Sequence, residues 1–175
     1  MSSRPLTRWL FGKLPAHGDF LSRGLDFGVR DALDYWLTDE IEAARDRLGA
    51  SFDDRWFTAP AWNFVDCDGS GQWSGGALCA SLDSAGRKFP VMLAAPATDA
   101  PGAGAIAAGC LDILYAALSQ CWRADELHSR AIDPIAAGWT DGQPAWALVS
   151  EDGAAMIEQG RFPDGIVLKM LEMAQ

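Results

Sequence analysis
From Ile106 to Trp122 the chain is apolar on nearly every side. A helix of that kind cannot face water along its length, so it must lie centrally and be covered by other elements. The most apolar stretch, Ala103 to Leu118, is interrupted by Gly104, Gly109 and Asp112. It falls short of the roughly 18 consecutive apolar residues of a membrane span and reads as a buried helix. The remainder of the chain has to supply the layer that covers it.

Two other regions can do so. Asp26 predicts the N-cap of a helix from about Gly28 to Leu48, with Gly49 just past its end. Val29, Leu33, Trp36, Leu37, Ile41, Ala44 and Leu48 recur at helical spacing, and Arg30, Asp31, Asp34, Asp39, Glu42, Asp46 and Arg47 occupy the other face. The helix is therefore amphipathic and packs on one side. The turn-rich middle contains three extended pieces, Ala61–Val65, Trp73–Leu82 and Phe89–Ala95, the last two joined by the hairpin-length loop "DSAGRK". "TRWLFGKLP" predicts a first strand ending at Pro15, "PATDAPGAG" a loop, "ADELHSRAI" a short helix, "PAWALVS" a strand and "PDGIVLKMLEMAQ" a terminal helix. The order predicts an α+β fold, with a mixed, mostly antiparallel sheet and helices packed on it. The 175 residues predict one domain, 1–175. No apolar run precedes Trp9, so no signal peptide is expected.

The net charge of −10 repels nucleic acid and anionic lipid and favours a protein or small-molecule partner; only Arg4, Arg8 and Lys13 cluster as a local exception. Cys67, Cys79, Cys110 and Cys121 show no zinc spacing with His17 and His128, and predict four reduced, mostly buried thiols. Of the tryptophans, Trp36 and Trp122 fall on predicted helices. Trp56, Trp62, Trp73, Trp139 and Trp146 fall on strands or loops, and burial is the expectation for each.

The densest chemistry lies in "FGKLPAHGDFLSRGL", residues 11–25. His17 and Asp19 with Ser22 or Ser81 would be the elements of a hydrolase, but there is no G-x-S-x-G elbow and no second histidine nearby. Asp19 is expected to bond backbone amides in a turn, His17 to sit exposed at a loop tip, and Lys13 to be a solvated cation at a strand end. Leu14 stands where a P-loop needs Ser or Thr. "FVDCDGSG" lacks the glutamate of a calcium loop and predicts a tight turn. In the "DSAGRKFP" loop, Asp83 and Arg87 are spaced for a local pair. No metal and no cofactor is expected.

Four segments occur in a telling order: "FGKLPAHGDFLSRGL", "APAWNF" at 59–64, "WSGGALCASLDSAGRKFPV" at 73–91 and "GWTDGQPAWALVSEDG" at 138–153. Together they resemble the TagF family of bacterial type VI secretion accessory proteins. Gly12, Lys13, Leu14, Pro15, Gly18, Asp19, Phe20, Arg23 and Gly24 match its first block; Ser81, Asp83, Gly86, Arg87, Phe89 and Pro90 match its third. Lys88 departs from a frequently aromatic position, the tail after Gly153 matches loosely, and 175 residues leave no room for the phosphatase domain fused to some relatives. The resemblance implies an α/β/α sandwich and a cytoplasmic, non-enzymatic repressor of secretion assembly. It also implies a forkhead-associated scaffold protein as partner, in a branch separate from the kinase and phosphatase. The expected binding residues are Lys13, His17, Asp19, Arg23, Ser81, Asp83 and Arg87. The two motif loops are expected to converge through Asp19–Arg87 or Asp83–Arg23. The alternatives are a small hydrolase using His17, Asp19 and Ser81, and a purely structural secretion component.

Overall fold
The turn-rich middle of the chain folds into three adjacent antiparallel strands, β3 (Trp62–Cys67), β4 (Trp73–Cys79) and β5 (Val91–Ala97). The computed structural model describes residues 7–139, 142–149 and 155–175. Arg4, and residues 140–141 and 150–153 of the fourth motif segment, lie outside them. β1 (Trp9–Gly12) and β2 (Leu21–Arg23) extend the sheet on one side, β6 (Ala145–Val149) and β7 (Ala155–Gln159) on the other. The order is β2-β1-β5-β4-β3-β6-β7, and every described pairing is antiparallel rather than mixed. Helices α1 (Phe27–Leu48), α2 (Ser51–Trp56) and α5 (Ile166–Glu172) cover one face. Helices α3 (Ala100–Gln120) and α4 (Ala124–Ser129) cover the other, completing three layers.

Strand alternation sorts the core into two clusters. Phe11, Phe64, Leu78, Met92 and Ala94 point toward α1, whereas Leu10, Ala77, Cys79, Val91 and Leu93 point toward α3. Trp56 and Trp62 are fully buried and Trp146 nearly so, as expected, whereas Trp36, Trp73, Trp122 and Trp139 are half-buried. Trp122 lies beyond α3, because the helix ends at Gln120 and Cys121 turns left-handed. All four thiols are free; burial pushes Cys79 and Cys110 up, the latter to about 12, while Cys121 is exposed.

α3 begins earlier than its composition suggests. "PATDAPGAG" reads as a loop, yet Asp99 caps the helix by accepting from the Gly102 amide at 2.7 Å, and Pro101 occupies the first turn. The small residues belong to the packing. A Cβ on Gly75 of β4 would overlap the Ala103 carbonyl, so the missing side chain lets α3 lie directly on the sheet. The helix is long and apolar enough to cross a membrane, but Ala103, Ala107, Cys110, Leu114 and Ala117 are buried against the strands. It is covered on one face by the sheet and only partly on the other, where Gly109 meets Ile132 and Asp133 and Gly104 meets Trp139.

α1 follows its pattern. Asp26 caps it at the Val29 amide, and Leu33, Leu37, Ile41 and Ala44 are buried. Val29 is 43% exposed, because the first turn of α1 stands clear of the sheet over a cavity. Glu40 is a charged residue on the buried side of the helix. Its carboxylate reaches across to α5 and accepts from the amides of Gly165 (2.8 Å) and Val167 (3.2 Å). It supplies the cap that Gly165 cannot. Glu40→Ala leaves both amides orphaned, and urea denaturation is expected to show a loss of about 2 kcal/mol. A loss within a few tenths of the wild type would show that water replaces the cap. β2, α2 and β7 carry no clear pattern in the sequence: β2 is three residues inside a polar motif, and α2 is six residues long.

Candidate functional site
β1 and β5 pair antiparallel with Gly12 opposite Val91. The end of one strand therefore lies beside the start of the other, and the segments that flank them, 13–20 and 81–90, must meet. A Cβ on Gly12 would overlap the Pro90 carbonyl, so glycine permits this close approach. The Lys13 amide donates to Pro90 O at 3.3 Å and the Ser84 amide to His17 O at 2.8 Å.

Asp83 holds the junction. The residue has no solvent exposure. Its Oδ1 accepts from the amides of Ala85 and Arg87, each at 3.0 Å, which sets the turn 83–87. Its Oδ2 takes the Lys13 ammonium at 3.0 Å and Arg87 Nε at 2.7 Å. Arg87 Nη2 continues to the Gly18 carbonyl at 2.6 Å. Burial acts to raise the Asp83 carboxyl. The Arg87 amide, the Lys13 ammonium and the Arg87 guanidinium outweigh it and hold the group well below the usual carboxylate range. Ser81 completes the joint: its hydroxyl donates to Lys13 O at 2.7 Å, and its carbonyl accepts from the Trp56 indole at 2.8 Å. Phe20 lies over this joint, edge-on to Phe89 at 4.6 Å with Lys13 Nζ 4.9 Å from its ring, and is half exposed.

The loops thus converge, but through different partners from those expected. The local Asp83–Arg87 pair forms, and the second cation is Lys13. Lys13 is 6% exposed and is no solvated strand-end charge. Asp19 is exposed and makes no hydrogen bond or ion pair among the described residues, so the amide-binding role falls to Asp83. Arg23 turns away to Asp125 of α4 at 3.0 Å. Neither Asp19–Arg87 nor Asp83–Arg23 exists, because β2 carries Arg23 to the far side of β1.

His17 is half-buried rather than free at a loop tip, and its Nε2 accepts from the Ala124 amide at 3.0 Å. Burial lowers its pKa, Arg123 and Arg23 lower it further, and Asp125 opposes them. Neutral His17 therefore fastens α4 to the first motif block. Arg8 does the same from β1's start, donating to the carbonyls of Leu127 (2.8 Å) and Arg130. No spacing in the sequence marks this docking of α4, since its partners lie more than 100 residues apart. His17, Asp19 and Ser81 make no hydrogen bond to one another; Ser81 Oγ and His17 Nε2 are engaged elsewhere. In the 68–72 turn, Asp68 Oδ1 accepts from the amides of Ser70 and Gln72 and from the Ser70 hydroxyl, as a tight turn requires. Among the described residues no three His, Cys, Asp or Glu side chains gather as a metal site would need.

The profile of the TagF N-terminal domain, type VI secretion system-associated, matches residues 10–131, which hold both motif blocks, the Asp83 joint and α4. The chain belongs to the TagF family. TagF membership makes it a type VI secretion-associated protein. The crystal structure of PA0076 from Pseudomonas aeruginosa PAO1 is similar to it, with a TM-score of 0.68 and 23% sequence identity over 94% of each chain. That likeness extends the shared fold beyond the matched TagF residues to most of the chain. No curated protein sequence matches it.

Proposed function
We propose that the chain is a non-enzymatic, cytoplasmic repressor of type VI secretion assembly, a single TagF-like domain that binds the system's forkhead-associated scaffold protein. The observation that carries this reading is the match to the TagF N-terminal domain across both motif blocks, which the Lys13–Asp83 pair and the Arg87–Gly18 bond tie together. Phe20 is half exposed there, and the side chains of Arg23 and Arg87 are about as accessible. An exposed aromatic at a joint that also carries Arg87 has the composition of a binding hot spot; Arg23 lies apart from it, on the edge strand β2 beside α4. In this reading Lys13, Ser81 and Asp83 build the surface, His17 anchors its flank, and Phe20, Asp19, Arg23 and Arg87 meet the partner. Neither nucleic acid nor a membrane is part of it.

Calorimetric titration against the scaffold protein tests this. Saturable binding at defined stoichiometry is expected. Phe20→Ala and Arg23→Glu should each weaken it about tenfold or more. Arg23→Glu should do so with little change in melting temperature, because the Arg23–Asp125 pair is exposed. Phe20→Ala also gives up packing on Phe11 and Phe89 and should melt somewhat lower while staying folded. Absence of binding at tens of micromolar protein would overturn the partner. Wild-type affinity in both variants would overturn the face.

A further inference from the structure
A concave site lies on the α1 face of the sheet, away from the Asp83 joint. It is a cavity of about 270 Å³ between the first turn of α1 and the strands. Its wall is aromatic: Trp9 stacks on Phe64 (centroids 6.1 Å, 27°), and Phe64 stacks on Trp146 (4.5 Å, 27°). Its rim is acidic, with Asp26, Asp66 and Asp68 set against Arg161 alone. Ser74 also lines it; this residue is 6% exposed, and its hydroxyl has no hydrogen-bond partner among the described residues.

We propose that this cavity binds an organic cation, a guanidinium or alkylammonium carried on an apolar stem. Arg161 does not compete for the role of anion receptor, because Nε and Nη2 form a fork on Asp66 at 2.7 and 2.8 Å and neutralise it. The charge left over is that of Asp26 and Asp68. Each uses only Oδ1 in its local structure, at the Val29 amide and in the 68–72 turn, and leaves Oδ2 unbonded. Two free carboxylate oxygens on the rim of an aromatic wall suit a cation on an apolar stem, because the charge meets the carboxylates while the stem lies against the rings. The Ser74 hydroxyl offers an acceptor within the apolar wall. The volume is near the low end of the ~300–1,000 Å³ of small-molecule sites. It therefore suits a ligand the size of one long basic side chain. The cation could arrive free or as an arginine or lysine side chain of another protein.

The test is a titration of the full chain with N-acetyl-arginine methylamide, free arginine and the neutral isostere N-acetyl-citrulline methylamide. Indole N–H resonances and tryptophan fluorescence report occupancy at Trp9 and Trp146. The blocked or the free arginine should saturate with shifts at these two rings, and the citrulline compound should bind at least tenfold more weakly. Tighter binding of the blocked form would assign a protein-borne side chain, and tighter binding of the free form a metabolite. Asp26→Asn with Asp68→Asn keeps the cap and the turn acceptor while removing both charges. It should weaken binding tenfold or more at an unchanged melting temperature. Equal binding of arginine and citrulline compounds by the wild type, or no saturable shift, would overturn the proposal. So would wild-type affinity in the folded double variant.

Discussion

Asp83→Ala is expected to lower the melting temperature by on the order of 10 °C and to expose Lys13. The substitution removes the acceptor of two backbone amides and two cations at once. It strands the Lys13 ammonium, itself 6% exposed, without a counter-charge. Breaking a buried pair from one side is far more damaging than removing both members. Lys13→Met combined with Asp83→Asn should therefore recover a substantial part of the loss, since Asn keeps an acceptor for the turn. Thermal unfolding of the single and double variants checks this. A double variant less stable than Asp83→Ala would show that the charges contribute more than turn geometry and packing.

The same joint carries a pH signature. The folded Asp83 carboxyl lies below its ordinary value of 3.8, so the folded state favours the ionised form. Its contribution is fully present above about pH 4 to 5 and is lost as pH falls from the unfolded value toward the folded one. The stability difference between the wild type and Lys13→Met/Asp83→Asn should be flat from pH 6 to 8 and shrink below pH 4. A difference that instead shrinks between pH 6 and 8 would assign it to another group.

Gly75→Val is the second large effect, expected to cost about 3 kcal/mol or more in urea denaturation. The added Cβ overlaps the Ala103 carbonyl and crowds the Ala107 amide, both of them backbone. No side-chain rotation relieves that contact, so α3 must move off the sheet. The helix has little freedom to do so, because Gly109 lies against the Asp133 carbonyl and Gly104 beneath Trp139 on its outer side. Gly69→Ala serves as the control: a Cβ there meets nothing within 4 Å, and the change should stay within about 0.5 kcal/mol. Equal stability of Gly75→Val and Gly69→Ala would mean that α3 does not lie on β4 as described.

Much of this molecule was written in local pattern. The spacing of Leu33, Leu37, Ile41 and Ala44 gives α1 its buried stripe, and Asp26 its start. The Asp68 turn and the Asp83–Arg87 pair close within four residues, so their partners can be read from spacing alone. The motif blocks were sufficient to indicate the family. Tertiary structure decided the remainder. Lys13 meets Asp83 because β1 and β5 are neighbours in the sheet, not because of any spacing between residues 13 and 83. Glu40 reads as one more charge on a helix until α5 docks and presents two bare amides to it. Gly75 reads as a weak point in a strand until α3 lies across it. The aromatic cavity draws Trp9, Phe64 and Trp146 from three strands whose order no single-strand pattern encodes. Periodicity records which face of an element is apolar, whereas the partner of that face depends on strand order and helix docking, which the whole chain sets together.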